Sequence, residues 1–349
     1  MSYTNGLDKP SDYFNTKLYT GDGSTSRSIT GVGFQPDLLW VKSRSYTYYH
    51  ALWDAVRTNK SALYSNATNA EDTSTGGTLG SLDSDGFTTA NVSGGGFINI
   101  NAVTYTSWNW KANGAGSANT DGSISSTVSA NTTSGFSIVT VANVGSANFT
   151  FGHGLGVAPS WVLAKSRDGG KWNNYFKSLG AGYTIQLPET GAKISNTAIW
   201  QNTNPTSSVV YSNGDQLDAN ESYVFYCFAE KQGYSKFGSY TGNGNADGTF
   251  VYTGFKPAFV MIKKTDSAGN FWHIYDNKRS TSGSNVVDDV LYPNRSDAEY
   301  SEARLDFVSN GFKIRTTNGD INTSGGNYIF MCFAENPFVS STGVPATAR

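Results

Sequence analysis

One ten-residue pattern occurs three times in this chain, and it constrains the fold more than any other feature. The first copy is Gly33-Phe34-Gln35-Pro36-Asp37-Leu38-Leu39-Trp40-Val41-Lys42. The second is Gly156-Val157-Ala158-Pro159-Ser160-Trp161-Val162-Leu163-Ala164-Lys165, and the third is Gly254-Phe255-Lys256-Pro257-Ala258-Phe259-Val260-Met261-Ile262-Lys263. Each reads Gly, two residues, Pro, a mostly apolar run of five, then Lys. Proline lacks an N–H and fixes φ, so it belongs at the start or edge of a strand. The continuous apolar run behind it predicts a strand buried on both faces, and the Lys is expected where that strand meets solvent.

Other landmarks recur in the same order. YTGDG (19–23) and YTGNG (240–244) each begin seventeen residues before the Pro, and Tyr13 and Tyr234 stand six residues earlier still. After the Pro come SDGF (84–87), SNGD (212–215) and SNGF (309–312), strings suited to tight turns. Each copy closes on an aromatic strand: YTSWNWKA (105–112), YVFYCFAE (223–230) and YIFMCFAE (328–335). From Pro to the opening Tyr of these strands the distances are 69, 64 and 71 residues. Landmarks that recur in one order define the fold unit. Cys227, Cys332 and Asn109 occupy one position of the closing strand, so the cysteines are expected as buried free thiols rather than a bridge. Free thiols fit synthesis in a reducing cytoplasm.

These landmarks organise the chain. An N-terminal arm spans 1–12, and copies span 13–112, 134–230 and 233–336. Residues 113–133 are small and polar and read as a Gly/Ser/Asn-rich linker, and 337–349 form a tail that frays or lies along another surface. Within a copy, about seven to nine short strands separated by Gly, Asn and Asp turns are expected. No helical periodicity is sustained, although a brief turn at Trp53–Arg57 is allowed. The expected fold is all-β: three tandem antiparallel β-sandwich modules of jelly-roll or lectin-like type, joined end to end.

Composition narrows the function. Charged residues are 15% of the chain, against about 25% in an ordinary domain. Net charge is −2, which gives no basic excess to neutralise phosphates and argues against nucleic acid as a partner. The segment MSYTNGLDKPSDYF has no apolar core, so no signal peptide is expected. No apolar run of spanning length exists, so no membrane insertion is expected.

Three histidines are present: His50, His153 and His273. His153 lies in the Gly-rich string FGHGLG, where a turn or packing role is expected. His50 and His273 open similar strings. The first runs Tyr49, His50, Trp53, Asp54, Arg57; the third runs Trp272, His273, Asp276, Arg279. Allowing one extra residue in the first, both read aromatic-His, aromatic-Asp, then Arg three after the Asp. The second copy keeps Trp172 and Asn173 but loses the Asp. One reading is a ligand site, with rings stacking on sugar faces while Asp and Arg bind hydroxyls. The other is an Asp–Arg pair that pins a turn, with the aromatics in the core. Asp83 and Asp85, and the alternating Asn243, Asn245 and Asp247, could offer oxygens to a cation; without a closing Glu they read as polar turns. No catalytic constellation, metal site or cofactor site is expected.

The strings GLDKPSDYF (6–14), YTGDG and GVGFQPDLLWVKSR (31–44) resemble a repeat found in structural proteins of marine tailed bacteriophages. GFSIVTV (135–141), FGHGLGVAPSWVLAKSRD (151–168) and the YVFYCFAE ending are similar to it as well. The resemblance covers nearly the whole chain and implies a virion component, without supplying binding residues. The expected function is a non-enzymatic virion protein, a tail-fibre or host-recognition component that binds cell-surface glycan. It would assemble with other virion proteins as a homo-oligomer, a trimer being favoured. The alternatives are a head-decoration, cement or tail accessory protein and, further off, a glycan depolymerase.

Overall fold

The computed structural model describes residues 7–57, 61–74, 79–90, 97–280 and 285–345. The protein is all-β, built of several antiparallel sheets, none of them closed. Among the described residues the helical segments are short: a 3-10 turn, Pro10–Asp12, two single turns, Gly214–Leu217 and Gly319–Asn322, and 3-10 backbone at 97–98.

Each proline-led string becomes an inner strand of a principal sheet. Leu38–Ser43 lies between Thr104–Trp110 and Ala51–Asp54, and Trp161–Ser166 between Tyr223–Phe228 and Trp172–Phe176. Phe255–Lys264 lies between Asn327–Pro337 and Trp272–Asp276. On the far side of each closing strand sits an opening strand: Phe14–Thr20, Phe136–Val141 or Ser235–Thr241. One strand order therefore recurs three times. In the third sheet the strand begins two residues before Pro257, and the ladder slips at the proline, as its missing N–H requires.

The apolar run is explained by what lies on its two faces. Leu38 and Trp40 point into one large core, and Leu39 and Val41 into a second. Trp161 and Leu163 join the same large core, as do Phe259 and Met261; their neighbours Val162, Ala164, Val260 and Ile262 face two further cores. Each outer core is covered by a second sheet. The covers are Ser28–Thr30 with Gly86–Thr89 and Leu79–Asp83; Asn148–Gly152 with Val209–Asn213; and Phe250–Tyr252 with Gly311–Ile314, Tyr300–Val308 and Val286–Val290.

The three principal sheets thus do not follow one another in a row: they face a single shared core. Its centre is a triangle of rings from the three closing strands. Trp110 lies 6.4 Å from Phe228 and 5.7 Å from Phe333, and Phe228 lies 5.9 Å from Phe333. The three are equivalent by register, since they face Leu38, Trp161 and Phe259, each two residues after its proline.

Other landmarks are accounted for. Tyr19 stacks on Tyr105, and Tyr240 on Tyr328, each at 4.9 Å. Their hydroxyls donate to the carbonyls of Ile98 and Ile321. The YTG-x-G turns that follow are held by Asn99 and Asn322, which accept from the N–H of Asp22 and Asn243. Gly21 is required because a Cβ there would lie 2.1 Å from the Ile100 carbonyl oxygen. Cys227 and Cys332 are buried and unbridged in separate cores, and burial pushes both thiols above their usual range.

Three expectations are corrected. Residues 113–133 are not a linker: Ser117–Asn119 and Ser126–Asn131 extend the second principal sheet beyond Phe136–Val141, because their small polar side chains suit an edge hairpin. Trp53–Arg57 is not helical; the Asp54 carboxylate accepts from the N–H of Val56 and Arg57 and folds a turn on itself. The lysines that end the proline-led strands do not meet solvent. Lys42, Lys165 and Lys263 are fully buried. Each ammonium donates to two loop carbonyls: Ser43 and Tyr46, Ser166 and Gly169, Thr190 and Asn270. Burial lowers them to about 7, about 8 and about 8. The described part of the tail, up to residue 345, lies along the surface, where Phe338 donates to the Gly254 carbonyl and Ser341 to Asp8.

A shared core makes the sheets interdependent. Phe333→Ala removes one vertex of the ring triangle and is expected to cost about 3–5 kcal/mol. Denaturant unfolding followed by near-UV and far-UV circular dichroism is expected to give one coincident transition; three separable transitions would show that each copy stands alone.

Candidate functional site

The aromatic–Asp–Arg sets lie inside the molecule, at the joints between sheets. Asp54 faces Leu38, Phe176 faces Trp161 and Asp276 faces Phe259. Counting from these positions, His50 corresponds to Trp172 and Trp272, and His273 to Ala51. The extra residue allowed in the first copy is not needed, and the two histidines are not equivalent.

Asp54 and Arg57 form a fully buried pair at 2.6 Å. Tyr226, from the second sheet, donates to the same carboxylate at 2.7 Å. Arg57 also meets Glu71, which pairs with Arg167 of the second sheet. The third copy repeats this toward the first. Asp276 and Arg279 pair at 2.6 Å, Trp108 Nε1 donates to Asp276 at 2.9 Å, and Glu299 bridges Arg279 to Arg44. The joint from second to third lacks all of this. Phe176 stands in place of Asp, and Met331, the register equivalent of Tyr226 and Trp108, has no proton to donate. One backbone bond survives at all three joints: Glu71 N–H to Arg167 O at 2.7 Å, Glu299 to Arg44 at 2.7 Å, and Lys193 to Thr265 at 2.9 Å. The joints close in a ring, first to second, second to third, third to first.

The remaining sequence candidates divide by exposure. Trp172 and Trp272 are buried and donate across joints to the carbonyls of Tyr64 and Gln186. His50 accepts from Trp40 Nε1 at 3.1 Å; burial, with Lys42 and Arg279 nearby, depresses its pKa and keeps it neutral. His273 is buried between Tyr275 and Asp320, and desolvation lowers its pKa too. Trp53 is buried against Phe97. The ligand reading is therefore corrected for Trp53, Asp54, Arg57, Trp172, Trp272, Asp276, Arg279 and both histidines: all are buried, with the aspartates, arginines and the tryptophans at 172 and 272 engaged at the joints. His153 takes the expected turn role, accepting from Leu155 N–H and facing the Thr206 carbonyl. Asp83 and Asp85 spend their oxygens on Ser81, Thr88 and the N–H groups of Gly31 and Gly33. Asn243 and Asn245 accept successive backbone N–H groups, and Asp247 pairs with Lys313.

Two sequence candidates reach solvent, Tyr49 and Asn173. Asn173 lines a groove of about 470 Å³ on the outer side of Trp172–Phe176, Tyr183–Gln186 and Ile194–Ser195. The groove exists because the cover sheet there has only two strands, against three and four in the other copies. Its walls carry side-chain amides in pairs. Gln186 donates to Asn173 at 3.2 Å, and Asn196 donates to Gln216 at 2.9 Å. Asn173 is only 6% exposed, yet among the described residues its Nδ2 has no protein partner. Asp218, which ends the Gly214–Leu217 turn at φ 91°, also lines the groove. A non-glycine residue in that backbone region is strained. Lys171 is the one cation in the lining and pairs with Glu189. Ile194 and Ile199 give the groove apolar surface, and among the described residues no aromatic ring lines it. Sequence reasoning missed Gln186, Asn196, Gln216 and Asp218, which carry no motif; their one signal is the density of amides between 173 and 218.

The joints have a measurable consequence. Asp54→Ala or Asp276→Ala strands a buried guanidinium and is expected to cost about 3–5 kcal/mol in denaturant melts. Phe176→Ala is expected to lose stability through lost ring packing, with no dependence on salt; equal salt dependence at all three joints would contradict this division.

No curated protein and no solved structure matches the chain. A family model described as a domain of unknown function, DUF7483, matches residues 9–337 as one unit, across all three principal sheets and the ring of joints that closes them. The chain belongs to that family.

Proposed function

We propose that this protein is a non-enzymatic virion component, a tail-fibre or similar host-recognition element, that binds cell-surface glycan through the groove beside Asn173. Three tandem β-sandwich modules, 13–112, 134–230 with the edge hairpin of 117–131, and 233–336, supply the scaffold, each a principal sheet with its cover. The observation that carries the reading is Asn173: a nearly buried amide that keeps a donor open to a groove lined by further amides. Amide donors and acceptors, hydroxyls and an almost balanced charge suit a neutral polyhydroxylated ligand. An anionic ligand would find only Lys171 among the described lining residues, and Lys171 is already paired with Glu189. The virion assignment rests on the resemblance of the repeat strings, and a chain poor in charge and rich in Tyr, Ser, Gly and Asn suits contact work.

The test uses the full chain against purified host surface polysaccharide and a glycan array, together with Asn173→Ala/Gln186→Ala. Binding by the parent protein is expected, with about tenfold lower affinity for each groove hydrogen bond removed. No binding at millimolar sugar overturns the glycan reading. Release of reducing ends from the polysaccharide overturns the non-enzymatic one.

A further inference from the structure

Tyr46 and Tyr49 are 57% and 46% exposed on the loop that follows Leu38–Ser43. Large rings on a surface call for an account when the fold does not need them. The molecule offers its own comparison, because a loop leaves the proline-led strand over a buried lysine in all three copies. In each, the buried lysine grips loop carbonyls, those of Tyr46, Gly169 and Asn270 among them. The second loop has Gly169 and Gly170 at its tip and the third has Ala268 and Gly269. The loop therefore forms without tyrosine side chains, and those of Tyr46 and Tyr49 are available for contact.

The loop is also held in place. Lys42 fixes its carbonyls, and Ser43 Oγ accepts from the Tyr46 N–H at 3.0 Å. Tyr46 lies against Tyr48 at 6.2 Å with planes 26° apart, and Tyr49 against Tyr64 at 4.6 Å. Residues 45–49 carry no charge. Fixed, uncharged ring faces match the C–H face of a sugar ring. The platform is also near the groove. Tyr64, which carries Tyr49, is four residues from Thr68 in the groove lining, a span of at most about 14 Å.

We infer that Tyr46 and Tyr49 form a stacking subsite for the same glycan whose neighbouring residues enter the Asn173 groove. The ligand is then an oligosaccharide long enough to bridge both, with the rings supplying the stacking that the groove lacks. This inference rests on the glycan reading of the groove.

The experiment compares three double variants of the full chain, Tyr46→Ala/Tyr49→Ala, Tyr46→Phe/Tyr49→Phe and Asn173→Ala/Gln186→Ala. Binding to host polysaccharide is measured by titration, and binding to methyl glucoside, methyl galactoside and N-acetylglucosamine by saturation-transfer NMR. The Ala pair is expected to lose at least fivefold in polysaccharide affinity, while the Phe pair stays within twofold of the parent. Unchanged affinity in the Ala pair, or an equal loss in the Phe pair, overturns the stacking subsite and leaves the groove reading standing. Loss in the Ala pair with no loss in the Asn173 pair overturns the groove and leaves the platform. Absence of any binding by the parent overturns both. Circular dichroism of each variant, unchanged from the parent, ties the losses to contact rather than folding.

Discussion

The structure depends on the closing strands being buried on both faces. Thr104–Trp110, Tyr223–Phe228 and Asn327–Pro337 each lie between two strands of their own sheet, so their hydrogen bonds are satisfied within it. Their side chains alternate between a private outer core and the shared inner one. The ring triangle of Trp110, Phe228 and Phe333 can form only if all three sheets present that inner face together. A sheet of this kind, taken alone, would expose Trp108 and Trp110, or Tyr226 and Phe228, to water. At about 1.5–3 kcal/mol for each large apolar side chain buried, three such sheets gain far more by facing one another than by lying in a row.

The joints show how the copies diverged without opening the ring. Where a buried carboxylate is present, the opposing closing strand supplies a donor: Tyr226 for Asp54, Trp108 for Asp276. Where Phe176 replaces the carboxylate, the opposing residue is Met331. An unpaired buried Asp would cost several kcal/mol, so acceptor and donor are tied to each other across the joint. The backbone bond common to all three joints needs neither and persists. The joints therefore share a geometry and differ in chemistry, which gives each sheet a distinct pair of neighbours.

Sequence reasoning reached what two-sided burial writes into a chain. The proline-led and closing strands, the Tyr–Gly turns and the paired cysteine positions were all legible, because a buried position restricts residue type. Three things were not. An Asp–Arg pair has one spacing whether it pins a turn, binds a ligand or clamps a neighbouring sheet; here Asp54 and Asp276 pin the turn and clamp the joint with different oxygens. The lysines at 42, 165 and 263 looked like strand ends at solvent, since nothing in a string reveals that loop carbonyls fold back over an ammonium. The Ser- and Asn-rich segment 113–133 looked unstructured because an edge hairpin needs few large apolar residues.

The position of the groove follows from the same economy. The inner faces of the principal sheets are committed to the shared core, so variation without loss of stability is left to the outer covers and the loops. The first and third copies spend their outer faces on covers of three and four strands. The second has two, and the chain between Leu187 and Ser208 runs without a long strand. Its outer face is thereby left partly open, and polar side chains such as Asn173 and Gln186 occupy positions that a wider cover would hide. The Tyr46–Tyr49 loop is the corresponding freedom in the first copy: its base is held by Lys42 whatever the tip contains. A scaffold whose stability is concentrated at its centre can carry different chemistry on each copy's exterior, and that is where Asn173 and the tyrosines lie.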